Sequence, residues 1–229
     1  MSERPYLPPR DQRPPITPAL ASFRDAISEI NDFYWVVLAG LDSLRRLRPT
    51  SATAPADFVA AALAAHLNLP LNDFDSLLDE QPRRLHYLCV VDAVTFYEEF
   101  LLQTLLRELP CRPEFNKDKP TVKQAKKVIN GDYETRPEDI DRALGIDVTS
   151  VGTEHELVVE DLKATFLARN CIVHSGGVVT DRELGRLGTM VSPLKRGDRL
   201  PIDEALWRRL CASLWRHAQD VDLLTRVRS

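Results

Sequence analysis

Apolar residues return at helical spacing through most of this chain, and almost nowhere do they alternate. From Ala19 to Arg46, Phe23, Ile27, Ile30, Tyr34, Val37, Leu38, Leu41 and Leu44 recur every three or four positions. With about 3.6 residues per turn, that period lines them along one stripe of a helix. A second stripe runs from Pro82 to Leu109 through Leu85, Leu88, Val91, Thr95, Tyr97, Leu101, Leu102 and Leu105, and stops at Pro110. Its leading proline suits a first helical turn, and its length makes it the expected central helix. Ile202 to Val227, with Leu206, Leu210, Leu214 and Val221, closes the set, and Glu154 to His174 is a further long helix. Shorter helices are expected over Asp57 to Leu67, Thr121 to Ile129, which Asn130-Gly131 stops, and Pro137 to Leu144. The one candidate for extended structure is a short hairpin between Val178 and Val191. The predicted fold class is therefore all-α: a helical bundle with a long central helix, residues 19–229 forming a single domain.

Met1 to Pro18 holds six of the 16 prolines and no hydrophobic stretch, so it reads as an extended or disordered arm and not as a secretory signal. A chain of 229 residues with 44% hydrophobic content can bury a substantial core. No window supplies the roughly 18 or more apolar residues of a membrane span, and Phe33 to Leu41 reads as buried helix. The cysteines Cys89, Cys111, Cys171 and Cys211 are isolated, without a Cys-x-x-Cys pair or a nearby histidine cluster, which excludes the usual zinc spacings. Cys89, Cys171 and Cys211 sit in apolar helical contexts as small hydrophobes. A reducing, cytoplasmic location and a site without metal or cofactor are the expectations. No Gly-rich phosphate loop or nucleophile elbow is present.

The segment richest in chemistry is Arg169-Asn170-Cys171-Ile172-Val173-His174, followed by Ser175-Gly176-Gly177. On a wheel at about 100° per residue, Val158, Val159, Leu162, Phe166, Ile172 and Val173 share one arc, and Arg169 lies inside it. A charged side chain in a buried stripe needs a partner, which predicts a polar pocket or a second subunit around Arg169. Glu98 and Glu99 are placed to supply one carboxylate across the bundle. Asn170 and His174, four apart, stack on one edge, so guanidinium, amide and imidazole are candidates to meet one anionic group. The same residues also satisfy a plain helix end, with His174 against the dipole and Gly176 or Gly177 as cap. His66, His86 and His217 stand alone and read as structural, and His155 lacks the spacing of a helical zinc site.

The net charge of −4 argues against a molecule coated in positive charge, so local patches matter more. Arg112, Lys117, Lys119, Lys123, Lys126 and Lys127 stand against Glu114 and Asp118, a surplus of four. Arg182, Arg186, Lys195, Arg196 and Arg199 stand against Glu183 and Asp198, a surplus of three. The second patch follows the motif directly and is the candidate substrate-binding set, because phosphate contacts position a nucleic acid without reading its sequence. A solvated surface is the plain alternative for either patch.

The motif resembles the signature of the HEPN superfamily: an arginine, a polar residue and a histidine, here Arg169, Asn170 and His174. The flanks Glu160 to Ala168 and Ser175-Gly176-Gly177-Val178 are similar to those of the family. The resemblance is strong over about twenty residues and loose elsewhere. It implies a helical bundle that dimerises so that motif helices of two copies form one site. It also implies metal-independent endoribonuclease activity on RNA by 2′-hydroxyl attack, with a toxin or antiviral role and an inhibitory partner protein. The alternative is a non-catalytic dimerisation or RNA-binding adaptor on the same fold. One subgroup carries a tyrosine two positions after the histidine; Gly176 stands there, so nucleotidylation of that position is not implied.

Overall fold

The computed structural model describes residues 16–46, 74–112, 116–146, 153–187 and 193–226. Its helices are α1 (Pro18–Arg46), α2 (Phe74–Glu108), α3 (Thr121–Ile129), α4 (Arg136–Leu144), α5 (Thr153–Ser175), α6 (Asp181–Leu187) and α7 (Glu204–Arg226). The expected helix over Asp57 to Leu67 and most of the expected N-terminal arm lie outside the described residues. Among the described residues there is no sheet, and the all-α class holds. No helix described is long and apolar enough to cross a membrane.

Helix α2 is central: α1, α3, α5 and α7 all pack on it. Its middle turns place Val90, Ala93, Val94, Tyr97, Phe100 and Leu101 in the core. Aromatic rings knit the layers together there. Phe23 of α1 lies 5.7 Å from Tyr97 and 5.8 Å from Phe100, and Phe166 of α5 lies 6.0 Å from Tyr97. Trp215 of α7 closes the group at 6.2 Å from Phe23. Rings at such separations and tilted angles add a favourable quadrupole term to the burial of large apolar surfaces.

Local chemistry sets the helix ends. Thr17 caps α1 through a bond from the Leu20 amide to its Oγ1, and its own amide donates to Asp222 of α7. Asp203 caps α7, accepting from the Leu206 amide at 2.8 Å. Helix α4 stops at Gly145, whose φ of 63° is the left-handed conformation that glycine adopts without strain.

Two expectations are corrected. Helix α2 begins at Phe74, so Pro82 lies inside it and is not its first turn. A proline leaves the carbonyl four residues earlier without its amide donor; here the Arg45 guanidinium of α1 donates to that Leu78 oxygen at 2.9 Å. Over the described part of the hairpin expected between Val178 and Val191, residues 178–187, the chain forms a helix instead. Glu183 bonds back to the Thr180 amide at 2.9 Å and to the Thr180 hydroxyl, a capping box that starts α6. Val178 instead makes an isolated antiparallel bridge with Arg199.

Candidate functional site

The last three turns of α5 carry the motif. Upstream, Val158, Val159, Leu162 and Phe166 are buried as the stripe predicts, and Leu167, Ala168 and Cys171 are buried as well. Helix α5 is thus covered on more than one side, and the Cys171 thiol is pushed up to about 11, chiefly by burial and secondarily by Glu183. Val173, assigned to the same stripe, is 47% exposed. Burial follows the neighbouring helices, and the stripe loses its cover in the final turn.

Arg169 is half-buried on α5, one turn beyond Phe166 and on the same side of the helix. Its Nε is buried and has no hydrogen-bond partner. The carboxylate expected to meet it is engaged elsewhere. Glu98 of α2 accepts from Arg136 Nη1 at 2.8 Å, and Glu99 accepts from Gln103. Arg136, the first residue of α4, sits with its guanidinium 4.5 Å from the centre of the Phe166 ring, a cation–π distance. Its Nε and Nη2 both donate to the Gly131 carbonyl at 3.3 Å. Burial lowers the Arg136 pKa from its ordinary value; Glu98 opposes that shift and the nearby Arg169 charge adds to it. Arg136 thus has a carboxylate partner in Glu98, whereas Arg169, whose charge acts on Arg136, has none among the described residues.

This arrangement is unbalanced. A half-buried cation without a counter-charge is costly and gains most from an anion that supplies both charge and acceptors. The planar fork of a guanidinium suits a phosphate or carboxylate group.

Asn170 is half-buried and His174 is exposed. Arg169 and His174 are five positions apart, which on a helix means about 140° of rotation and about 7.5 Å of rise. The fold groups Arg169 with Arg136, while His174 looks outward near Asn170. On an ideal helix the Arg169 and His174 side chains therefore leave α5 in different directions.

Beyond His174 the chain turns through Gly176 and Gly177, with φ of 59° and 78°. A β-carbon on Gly177 would collide with the Tyr87 ring, so the end of α5 rests directly on α2. Tyr87 itself donates to the Leu200 carbonyl at 2.7 Å, and the Leu200 amide donates to the Gly177 carbonyl. The segment bearing Lys195, Arg196 and Arg199 is thereby fastened beside the motif, as the sequence order suggested. Those three side chains are exposed, and Arg196 forms an ion pair with Asp181 at 3.0 Å. Arg182 and Arg186 lie on α6, and their side chains are outside the described residues.

Arg136 is the residue that sequence reasoning missed. The helix was expected to open at Pro137, and nothing local marks the preceding arginine as folding back onto α5. Among the described residues no group of histidine, cysteine and carboxylate side chains could hold a metal ion. Comparison with protein-family models, with curated proteins and with solved structures finds no match to this chain.

Proposed function

We propose that this protein is a metal-independent endoribonuclease of the HEPN type, in which Arg169, Asn170 and His174 act on an RNA phosphodiester at a site completed by a second copy. The observation that supports this most is the Arg169 guanidinium, half-buried with an unpartnered Nε and no carboxylate bonded to it among the described residues. A phosphoryl group whose charge grows in the transition state gives such a cation the partner it lacks.

In this mechanism His174 accepts the ribose 2′-hydroxyl proton. The 2′-oxygen forms a bond to phosphorus as the bond from phosphorus to the 5′-oxygen breaks. The leaving oxygen takes a proton from a second imidazole, and the product carries a 2′,3′-cyclic phosphate. Exposure suits His174 to this role, since an imidazole at the surface reaches bound substrate without rearrangement. Arg169 holds the phosphoryl oxygens by bidentate bonds, Asn170 orients the phosphate or the imidazole, and Lys195, Arg196 and Arg199 hold flanking phosphates.

The angle between Arg169 and His174 is the reason for a dimer. A two-fold axis beside α5 brings the imidazole of one copy to the guanidinium of the other and supplies the second proton carrier. The same angle favours the non-catalytic adaptor if the protein is monomeric. Cleavage of RNA in chelator, compared with His174→Ala, decides between them. The expected result is loss of about 10²–10⁴-fold in rate, cyclic-phosphate products and no cleavage of DNA. Magnesium-dependent products ending in 5′-phosphate, or wild-type rates in His174→Ala, refute the enzymatic reading.

A further inference from the structure

The basic stretch before α4 has no place in the function proposed above, and the fold gives it one. Lys117, Lys119, Lys123, Lys126 and Lys127 are all exposed, and among the described residues none is ion-paired. The acid between them, Asp118, is exposed as well. Arg112, counted with this patch in the sequence, does not belong to it, because its guanidinium turns inward and donates to the Leu144 carbonyl.

Helix α3 sorts these charges onto one side. Ala125 and Ile129 are buried. Lys123, Lys126 and Lys127, at spacings of three and four, form a row on the outer side, and Lys117 and Lys119 lie exposed in the turn that precedes the helix. Surface helices commonly intersperse both signs; here one sign is left without neutralisation. The row also points somewhere. Helix α3 ends at Asn130, and the next carbonyl, that of Gly131, accepts both hydrogen bonds from Arg136. Arg136 lies over Phe166, one turn from Arg169. The lysine row thus ends beside the half-buried guanidinium pair.

We infer that the outer face of α3 and Arg136 form a track for the phosphate backbone of RNA, which delivers a phosphodiester to Arg169. The inference rests on the proposal that this molecule handles RNA and adds the surface that holds the strand. Repeated cations with no paired acids match a polyanion. The track lacks exposed aromatic rings on α3, so it grips phosphates and does not stack bases. Lys195 and Arg199 then play the smaller part, being two exposed cations against five lysines, because Arg196 already has Asp181 as a partner.

The test is fluorescence anisotropy with a labelled single-stranded RNA oligonucleotide and the full chain carrying His174→Ala, at several salt concentrations. In that background, Lys123→Gln, Lys126→Gln and Lys127→Gln together should weaken binding by roughly 100-fold at 0.1 M salt and reduce the slope of log K against log salt by about 2, as loss of three phosphate contacts requires. Neutralising Lys195 and Arg199 should change the slope by less than 1, and a DNA oligonucleotide of the same sequence should lose affinity in parallel. All three lysines are exposed, and circular dichroism verifies that the variant folds. An unchanged slope in the α3 variant, a larger effect from Lys195 and Arg199, or no RNA binding at all overturns the inference. Binding that depends on α3 without cleavage by the native chain sinks the nuclease reading and leaves the track standing. Cleavage with binding indifferent to α3 does the reverse.

Discussion

Two polar clusters in this bundle differ in character, one closed and one open. In the core, the Tyr97 hydroxyl meets His217 Nδ1 at 2.6 Å and His217 Nε2 meets Asp141 at 3.2 Å. All three residues are essentially inaccessible to solvent. Burial, with Asp141 adding to it, drives the Tyr97 pKa well above its ordinary value, so the phenol stays protonated. At the other cluster, Arg136 is bonded to Glu98 and Gly131, but Arg169 beside it has a buried Nε with nothing to bond. A closed network ties helices together and offers nothing to a ligand. An open one leaves an interaction to be completed from outside, and perturbed or unsatisfied charged groups of this kind mark functional sites.

The sharpest way to break the comparison is to remove one member from each cluster. His217→Ala strips both neighbours of a partner in the core and should lower unfolding stability by about 3–5 kcal/mol, as loss of one side of a buried pair does. Urea denaturation measures it, and a cost below about 1 kcal/mol would show that the network is not what joins α2, α4 and α7. Arg169→Ala should do the opposite. It orphans no carboxylate and relieves repulsion with Arg136, so stability should change by no more than about 0.5 kcal/mol. RNA cleavage should fall by about 10²–10³-fold, the usual loss on removing one charge-stabilising donor. A large fall in stability would move Arg169 into the closed class.

The paired glycines test how firmly the end of α5, which carries the open cluster, is seated on α2. Gly176 and Gly177 both have positive φ, so alanine at either carries a backbone cost of about 1–2 kcal/mol. They differ in surroundings: a β-carbon at Gly176 meets nothing within 4 Å, and one at Gly177 meets the Tyr87 ring. The difference between the two variants therefore isolates the Tyr87 contact. Gly177→Ala should be the more destabilising by about 1–3 kcal/mol, the usual cost of overpacking. Equal melting temperatures would show that the end of α5 is not seated on α2.

The same contrast separates what was legible in the sequence from what was not. Helices α1 and α3 follow from apolar period and stop signals, and their observed bounds lie within a residue of those expected. The start of α2 was misread because Pro82 is tolerated inside a helix only through Arg45, a partner on another helix that no local pattern announces. Helix α6 was readable in principle, since Thr180 and Glu183 stand at capping-box spacing, but alternation around Val178 and Val179 pointed to a hairpin. In the site, the presence of an arginine in an apolar stripe was visible. The identity of its neighbours was not: Glu98 or Glu99 was expected to meet Arg169, but Glu98 pairs with Arg136 and Glu99 with Gln103. Local chemistry is written in short windows, whereas the pairing of Glu98 of α2 with Arg136 of α4 depends on the packing of separate helices.

His86 stands between the two classes and gives the last and smallest prediction. It is buried on α2, with Nε2 3.0 Å from the Tyr34 hydroxyl and Nδ1 buried without a partner, so half of the imidazole is closed and half is open. Burial lowers its pKa from 6.5, against the opposing charges of Asp203 and Glu204. Tyr34, pushed up to about 12 mainly by burial, stays protonated throughout the range. Because the unfolded chain binds a proton at His86 more readily than the folded one, stability rises with pH here. The contribution is fully present above 6.5 and is lost as pH falls through that value toward the folded pKa. His86→Gln removes the titration, so its stability relative to the native chain should improve between neutral and mildly acid pH, by at most about 1.4 kcal/mol per pH unit. Urea midpoints of both proteins on either side of the histidine range measure this. A native chain that gains stability on acidification relative to His86→Gln would mean that the imidazolium has a partner in the fold, and His86 would then join Tyr97, His217 and Asp141 among the satisfied groups.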